Sequence, residues 1–243
     1  MQSCSFDLHS HSCLSPCGEN SSTPAVMAGM FALSGFDIAA LTDHNSCANC
    51  GAFLKACEHY GILGIPGMEL NTREEVHVVC LFETLEGAME FSDYVYEKLP
   101  HIKNRPHIFG EQLYADETDA VLGEEGKLLI SAADIGIYDV PKLAESFRGF
   151  AYPAHIDRSS NSLISNLGMW DPGMGFTMAE LSYACPEGFK QSVGLSDLKT
   201  VFGSDAHRIE QIPLQPRQKA QLPELTRKAM LDWLRSDSKA EFL

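Results

Sequence analysis

Apolar runs of strand length alternate along this chain with segments of helical period. "CSFDLHS" reads as a first strand and "FDIAALTDH" as a second, each closing on polar residues. Between them "STPAVMAGMFALSG" carries helix punctuation, with Thr23 as cap, Pro24 in the first turn and Gly35 as the stop. A second helix through "CGAFLKACEHYG" puts Phe53, Leu54 and Cys57 on one face. "GILGIPGMEL" and "EEVHVVCLF" are short apolar runs bounded by turn residues, and "LEGAMEFSDYVYEKL" is amphipathic helix again. Further on, "YDVPKLAESFRG" reads as helix, "GFAYPAHI", "TMAELS" and "KTVFGSDAH" as strands, and "LPELTRKAMLDWLRS" as a closing helix. This alternation predicts one α/β domain over residues 1–243 with a mostly parallel sheet, open or closed. Residues 100–127 break the rhythm with polar, charged and proline positions and lack the apolar content for a core of their own, so they read as an insertion or lid.

Composition narrows the partners. The chain has 243 residues, 44% of them apolar, which is enough to bury a sizeable core. Eighteen Lys and Arg against 33 Asp and Glu give a formal net charge of −15, which disfavours an extended nucleic-acid groove or an anionic membrane surface. The expected partner is a small phosphorylated substrate at a local cationic site, with no long nucleic acid and no membrane. No apolar run approaches the roughly 18 residues of a membrane span, and no basic-then-apolar leader is present, so the expected location is the cytoplasm. In that setting the eight cysteines are expected as free thiols, including the lone C-x-x-C of Cys47 and Cys50, which lacks the second pair that a structural zinc site needs.

The potential ligands fall at strand ends. His9 and His11 follow the first strand on alternate positions, which turns both to one face. Asp43 and His44 end the second, Glu69 ends the third, His77 lies within the fourth, His155 follows "FAYPA", and Asp205 and His207 end "VFGS". Each alone has a structural explanation, but six of the nine histidines and two carboxylates at successive termini point to a metal cluster, since in a (β/α) barrel those ends converge. His59, His101 and His107 stand apart from the set.

With H-x-H, "TDH", a following Glu, two more histidines and "GSDAH" in this order, the chain resembles the polymerase-and-histidinol-phosphatase (PHP) domain family of metal-dependent phosphoesterases. The resemblance implies a distorted, TIM-like (β/α)7 barrel with two or three divalent ions at the C-terminal ends of the strands. It also implies hydrolysis of phosphate esters by a metal-bridging hydroxide. Carried over by position, it puts a first ion on His9, His11, Glu69 and Asp205, and lets Glu69 bridge to a second ion on His77 and His155. A third ion would take His44 and His207. The chain departs from the family where "SCLSPCG" places Pro16 in the position of the usual Asp, beside Cys17, whose thiolate would suit zinc. Imidazole-rich sites accept Zn, Mn or Fe.

Asp205 is expected to double as proton acceptor for the nucleophilic water, and Asp7 and Asp43 to orient imidazoles or hold loops. Arg158 and Arg73 are the candidate phosphate-binding guanidinium groups, with Arg208 behind them. A small ester is expected, either nucleotide-like or a sugar or amino-alcohol phosphate. Two other readings share the ligands: an amidohydrolase acting on a C–N bond, for which His44 and His207 are superfluous, and a non-catalytic regulatory module that keeps metals for structure.

Overall fold

The computed structural model describes all 243 residues. Strand β1 (Gln2–Asp7) leads into helix α1 (Pro24–Leu33), which starts after Thr23 with Pro24 in its first turn and ends short of Gly35 in the left-handed region. Next come β2 (Ile38–Leu41), α2 (Cys50–Tyr60), β3 (Leu63–Asn71), β4 (His77–Phe82) and α3 (Leu85–Lys98). The segment at 100–127 holds a single helical turn, α4 (Pro106–Phe109), and a hairpin of β5 (Leu113–Ala115) and β6 (Val121–Glu124). Helix α5 (Val140–Ser146), β7 (Gly149–Pro153), α6 (Leu163–Leu167), β8 (Met178–Ser182), α7 (Phe189–Ser192) and β9 (Lys199–Gly203) follow. The chain closes with β10 (Gln218–Leu222), α8 (Arg227–Arg235) and β11 (Glu241–Phe242).

The main sheet runs β11-β10-β1-β2-β3-β4-β7, and β8 pairs in parallel with β9 alone. Backbone bonds at one end curl this pair round to the sheet: Ile156 N–H donates to the Glu180 carbonyl (2.9 Å), Asp205 N–H to the His9 carbonyl (2.9 Å) and His11 N–H to the Ala206 carbonyl (2.9 Å). The result is a distorted barrel of β1, β2, β3, β4, β7, β8 and β9; β10 pairs with β1, buries Ala220 and Leu222 in the same core and reaches β9 through Gln218 and Phe202, and β11 pairs with β10. Alternation along the strands divides the apolar side chains. Ile38 and Ala40 join Phe6, Leu8, Ile65, Val79 and Tyr152 in a cluster closed off by Met230 and Trp233 of α8. Ala39 and Leu41 face the layer of α1, α2, α3 and α5, with Phe31, Phe53 and Phe91.

Three features differ from the alternation reading. Strands β3 and β4 form an antiparallel hairpin, because the link at 72–76 is far shorter than the dozen or so residues that a parallel crossover needs. His77 therefore begins β4 instead of lying inside it, and this places it at the same barrel end as the residues after β1, β2 and β7. The strands β10 and β11 were not anticipated: "QKAQL" pairs antiparallel with β1 and buries only alternate residues, too short a pattern to stand out. The 100–127 segment docks on the loops after β1 and β2, with Leu113 N–H on the Cys13 carbonyl (2.8 Å) and Asn49 Nδ2 on the Leu113 carbonyl (3.1 Å). Gly110 lies so close to the Pro16 carbonyl that no side chain could stand there. All eight cysteines are free thiols, and no helix is long and apolar enough to cross a membrane.

Candidate metal centre

At the end of the barrel where the strands are drawn together, potential ligands converge in three interlocking groups. His9, His11, Glu69 and Asp205 form one; His44, Glu69 and His77 a second; His11, His44 and His207 a third. Within each group the ligand atoms lie within 4.8 Å of one another. His155 approaches the same centre, with Nε2 3.1 Å from Glu69 Oε1. Cys17 is exposed and belongs to none of the groups, and His59, His101 and His107 are exposed elsewhere.

The backbone bends to achieve this. His155 (φ 28°) and Asp205 (φ 50°) sit in the left-handed region that non-glycine residues seldom enter, as does Asn45 (φ 50°) just after His44. Such conformations persist where surrounding contacts over-determine them. Asn45 is held by its Nδ2 on the carbonyls of Leu129 (2.6 Å) and Ser131 (2.8 Å).

Glu69 is fully buried and has the ring nitrogens of five imidazoles, those of His9, His11, His44, His77 and His155, within 3.2 Å. A carboxylate offers about four lone-pair directions, so hydrogen bonding cannot account for that crowd. Glu69 Oε2, Asp205 Oδ1 and His44 Nδ1 indeed lack any hydrogen bond in acceptable geometry. His9 Nε2 and His11 Nε2 face each other at 3.2 Å while both also face Asp205 Oδ1. Lone pairs converging on shared points are what cations would occupy, so the donor set fits divalent metal ions.

The outward nitrogens are fixed by hydrogen bonds. His9 Nδ1–H donates to Glu180 Oε1 (2.8 Å), and His11 Nδ1–H to Ser15 Oγ (2.9 Å), leaving both Nε2 atoms turned to the centre. Ser15 in turn donates to Asp43 Oδ1 (2.7 Å), which also accepts from Ser12 N–H (2.7 Å). Asp43 thus ties the loop after β1 to β2. Asp7 accepts from the backbone N–H of His9 (3.2 Å) and Ser204 (3.3 Å) and from the Tyr183 hydroxyl (3.1 Å). Sequence reasoning missed Glu180; the signal was a carboxylate in the middle of the apolar run "TMAELS".

Charges within the cluster polarise it. Burial pulls the His11 imidazole down, but hydrogen bonds to Asp205 and Glu69 and their charges raise it to about 9. His9 is likewise carried well above its usual value, against burial, by Glu180, Glu69 and Asp205. Burial lowers His44 to about 3 and His207 to about 4, helped by the charge on His11. Burial works against the Glu69 and Asp205 carboxylates too, yet the imidazoles hold both well below the ordinary range.

Above the cluster opens a cavity of about 150 Å³ lined by His44, Glu69, His77, His155, Arg158, Ser160, Asn161, Asp205 and His207, none of them apolar. A larger cavity, about 750 Å³, lies between α2 and the β5–β6 hairpin and contains none of these residues. The Arg158 guanidinium pairs with Asp205 Oδ2 at the cavity wall. Arg73 does not reach the cavity: its backbone N–H bonds to the Ile135 carbonyl (2.9 Å), and its guanidinium pairs with Asp134 (2.8 Å). The turn after β3 points it outward, so nearness in sequence to Glu69 and His77 does not bring it near them in space. Arg208 pairs with Glu19 (3.3 Å).

A curled α/β barrel with imidazoles and carboxylates gathered at its strand ends defines the class of metal-dependent hydrolases. The chain belongs to the PHP domain family, whose model matches residues 7–152. No curated protein matches it significantly. Among solved structures it is similar to the lesion-specific endonuclease EndoQ of Pyrococcus furiosus, at 15% identity and a TM-score of 0.72. That match covers 99% of this chain and 58% of the endonuclease, so the chain spans little more than half of the longer protein. It is also similar to a protein of Bifidobacterium adolescentis assigned as a metal-dependent phosphoesterase (17% identity, TM-score 0.59, 95% of each chain). A third match is an amidohydrolase of Chromobacterium violaceum with bound sulfate (17% identity, TM-score 0.58, 98% of each chain).

The endonuclease comparison corrects one expectation. EndoQ has also been solved with a 27-mer duplex that carries an abasic lesion at the active site, and that finding overturns the expectation of no long nucleic acid. Net charge sums the whole surface and is no guide to the charge at a single site.

Proposed function

We propose that the chain hydrolyses phosphate esters with two or three divalent ions, drawn from Zn, Mn and Fe, on His9, His11, His44, Glu69, His77, His155, Asp205 and His207. The observation that carries this reading is the sharing of Glu69 and His11 between adjacent ligand groups beneath a wholly polar cavity. Ions so placed supply a water activated at neutral pH and positive charge against the phosphoryl oxygens. The residues do the rest. Glu69 and Asp205 bring the negative charge that balances the ions, and Asp205 faces the cavity, where it can take the proton of the attacking water. Arg158, 42% exposed and anchored on Asp205, presents its remaining N–H groups to phosphate oxygens. Ser160 and Asn161 add polar groups on the same wall.

The cavity is below the roughly 300–1,000 Å³ that encloses a whole small molecule. It takes the phosphoryl group and leaves the groups that carry it outside. For that reason we propose a phosphodiester of a nucleic-acid strand as the substrate class. Two observations support it: the similarity to EndoQ along nearly the whole chain, and the acid-free stretch 98–110, with Lys98, Lys103 and Arg105, which ends on Pro16. A small phosphate monoester is the second reading, supported by the similarity to the Bifidobacterium adolescentis protein assigned as a metal-dependent phosphoesterase over 95% of each chain.

The test is hydrolysis, with Mn²⁺ added, of labelled single strands and duplexes with and without an abasic site, of bis(p-nitrophenyl) phosphate and of mononucleotides, with His9→Ala as background. Strand or diester cleavage lost in the variant is the expected result. Release from mononucleotides alone would move the assignment to the monoester, and no P–O cleavage on any compound would overturn the reading.

A further inference from the structure

Glu180 occupies the centre of β8, a strand whose residues are all buried. Its side chain is 1% exposed and pairs with no lysine or arginine; its one ionic partner is His9. Glu180 Oε1 accepts from His9 Nδ1–H (2.8 Å) and from the backbone N–H of His155 (3.2 Å). The third neighbour is β9, where Gly203 stands two residues before Asp205, and any Cβ at 203 would overlap the Glu180 carboxylate. One side chain therefore touches the segments that carry His9, His155 and Asp205.

Burying a carboxylate is costly unless positive charge is held at its hydrogen-bond partner. Here that partner is an imidazole whose other nitrogen faces the four-ligand group. We infer that Glu180 is a positioning residue that keeps the His9 proton on Nδ1 and turns the Nε2 lone pair inward. It thereby governs the affinity of the His9, His11, Glu69 and Asp205 group for its ion. The inference rests on the reading that these groups hold ions. It adds that Glu180 acts on the four-ligand group and spares the group of three imidazoles, and that Gly203 is glycine to make room for it.

The experiment is titration of chelator-stripped protein with Zn²⁺, counting ions and affinities per chain, for the native chain, Glu180→Gln, Glu180→Ala, Gly203→Ala and the double variant Glu180→Ala/Gly203→Ala. Glu180→Ala should weaken one ion by about 10–100-fold, the usual scale for losing the partner of a ligating histidine, and spare the others. Glu180→Gln should lose less, because its amide oxygen still accepts from Nδ1–H. Gly203→Ala should resemble Glu180→Ala, and the double variant should be little worse than either.

Histidine ¹H and ¹⁵N spectra of the Zn²⁺-loaded protein should show the His9 Nδ1–H signal moving upfield and exchanging faster with solvent in Glu180→Ala, because its acceptor is gone, a change that general loosening of the fold would not single out. If Glu180→Ala fails to fold, Glu180→Gln and Gly203→Ala carry the same test. Native-like affinities and an unchanged His9 Nδ1–H signal in the variants would overturn the inference and leave the metal reading standing. A native chain that binds no Zn²⁺ would overturn both.

Discussion

The four-ligand group and the three-imidazole group share His11 but are built on different principles. In the first, His9, His11, Glu69 and Asp205 are at most 3% exposed, two of the four are carboxylates, and the outward nitrogens of both histidines are hydrogen-bonded. In the second, three imidazoles meet without a carboxylate, and His207 is 20% exposed. A cation in the first would be neutralised by its ligands, while one in the second would keep its charge. The difference suggests a division of labour: one ion that stays and one that exchanges with the solution.

Glu69→Gln should break the comparison altogether, since it removes the carboxylate common to two of the groups. We expect hydrolysis to fall by more than the roughly 100-fold upper range for an outer hydrogen-bond partner, and the ion count to fall with it, measured by kcat/KM and elemental analysis. Stripping the metals should come next in size. An ion present at 100 times its Kd contributes about 2.7 kcal/mol, so melting should drop by about 5–10 °C for each ion lost on chelation.

The pH profile of the stripped protein sharpens the contrast. His44 and His207 have folded values near 3 and 4, below the unfolded 6.5, so the stability they contribute is lost as pH falls through that window. His11, raised to about 9, contributes below pH 6.5 and loses that contribution as pH rises toward and through 9. Melting of the stripped protein should therefore peak near pH 6.5. Added Zn²⁺ should abolish the alkaline decline, because ligands bind as free bases.

His207→Ala tests the weaker group alone and should cost one ion and about tenfold in activity, the scale of a 1.4 kcal/mol loss, with the four-ligand ion retained. Cys17→Ser should change neither ion count nor rate beyond about twofold, because that thiol joins none of the groups. An ion lost on that substitution would show that the thiol takes the place of the missing loop Asp.

How far the chain can be read without coordinates varies with the kind of signal. Strand ends were visible because apolar runs stop there, and the ligands stand where the runs stop. Strand direction was hidden, because it depends on whether a link such as 72–76 can cross the sheet. Glu180 was hidden by its apolar neighbours, which marked "TMAELS" as core and drew attention from the one residue that is not. Arg73 shows the opposite error: flanked in sequence by potential ligands, it turns away to Asp134. The role of the loop after H-x-H was hidden too, since Ser15 and Asp43 meet only through the pairing of β1 with β2.

The short link between β3 and β4 carries a consequence for how the chain folds. Glu69 lies opposite Val79 and Asn71 opposite His77, so both ligands come from one antiparallel ladder. Sliding β4 by a single residue would send its alternate side chains to the opposite face and carry the His77 imidazole away from Glu69. Any ion gripped by Glu69 and His77 together works as a staple across the hairpin. In a newly made chain its arrival would separate the correctly registered ladder from its slipped neighbours, so that loading the metal and proofreading the sheet would become a single event.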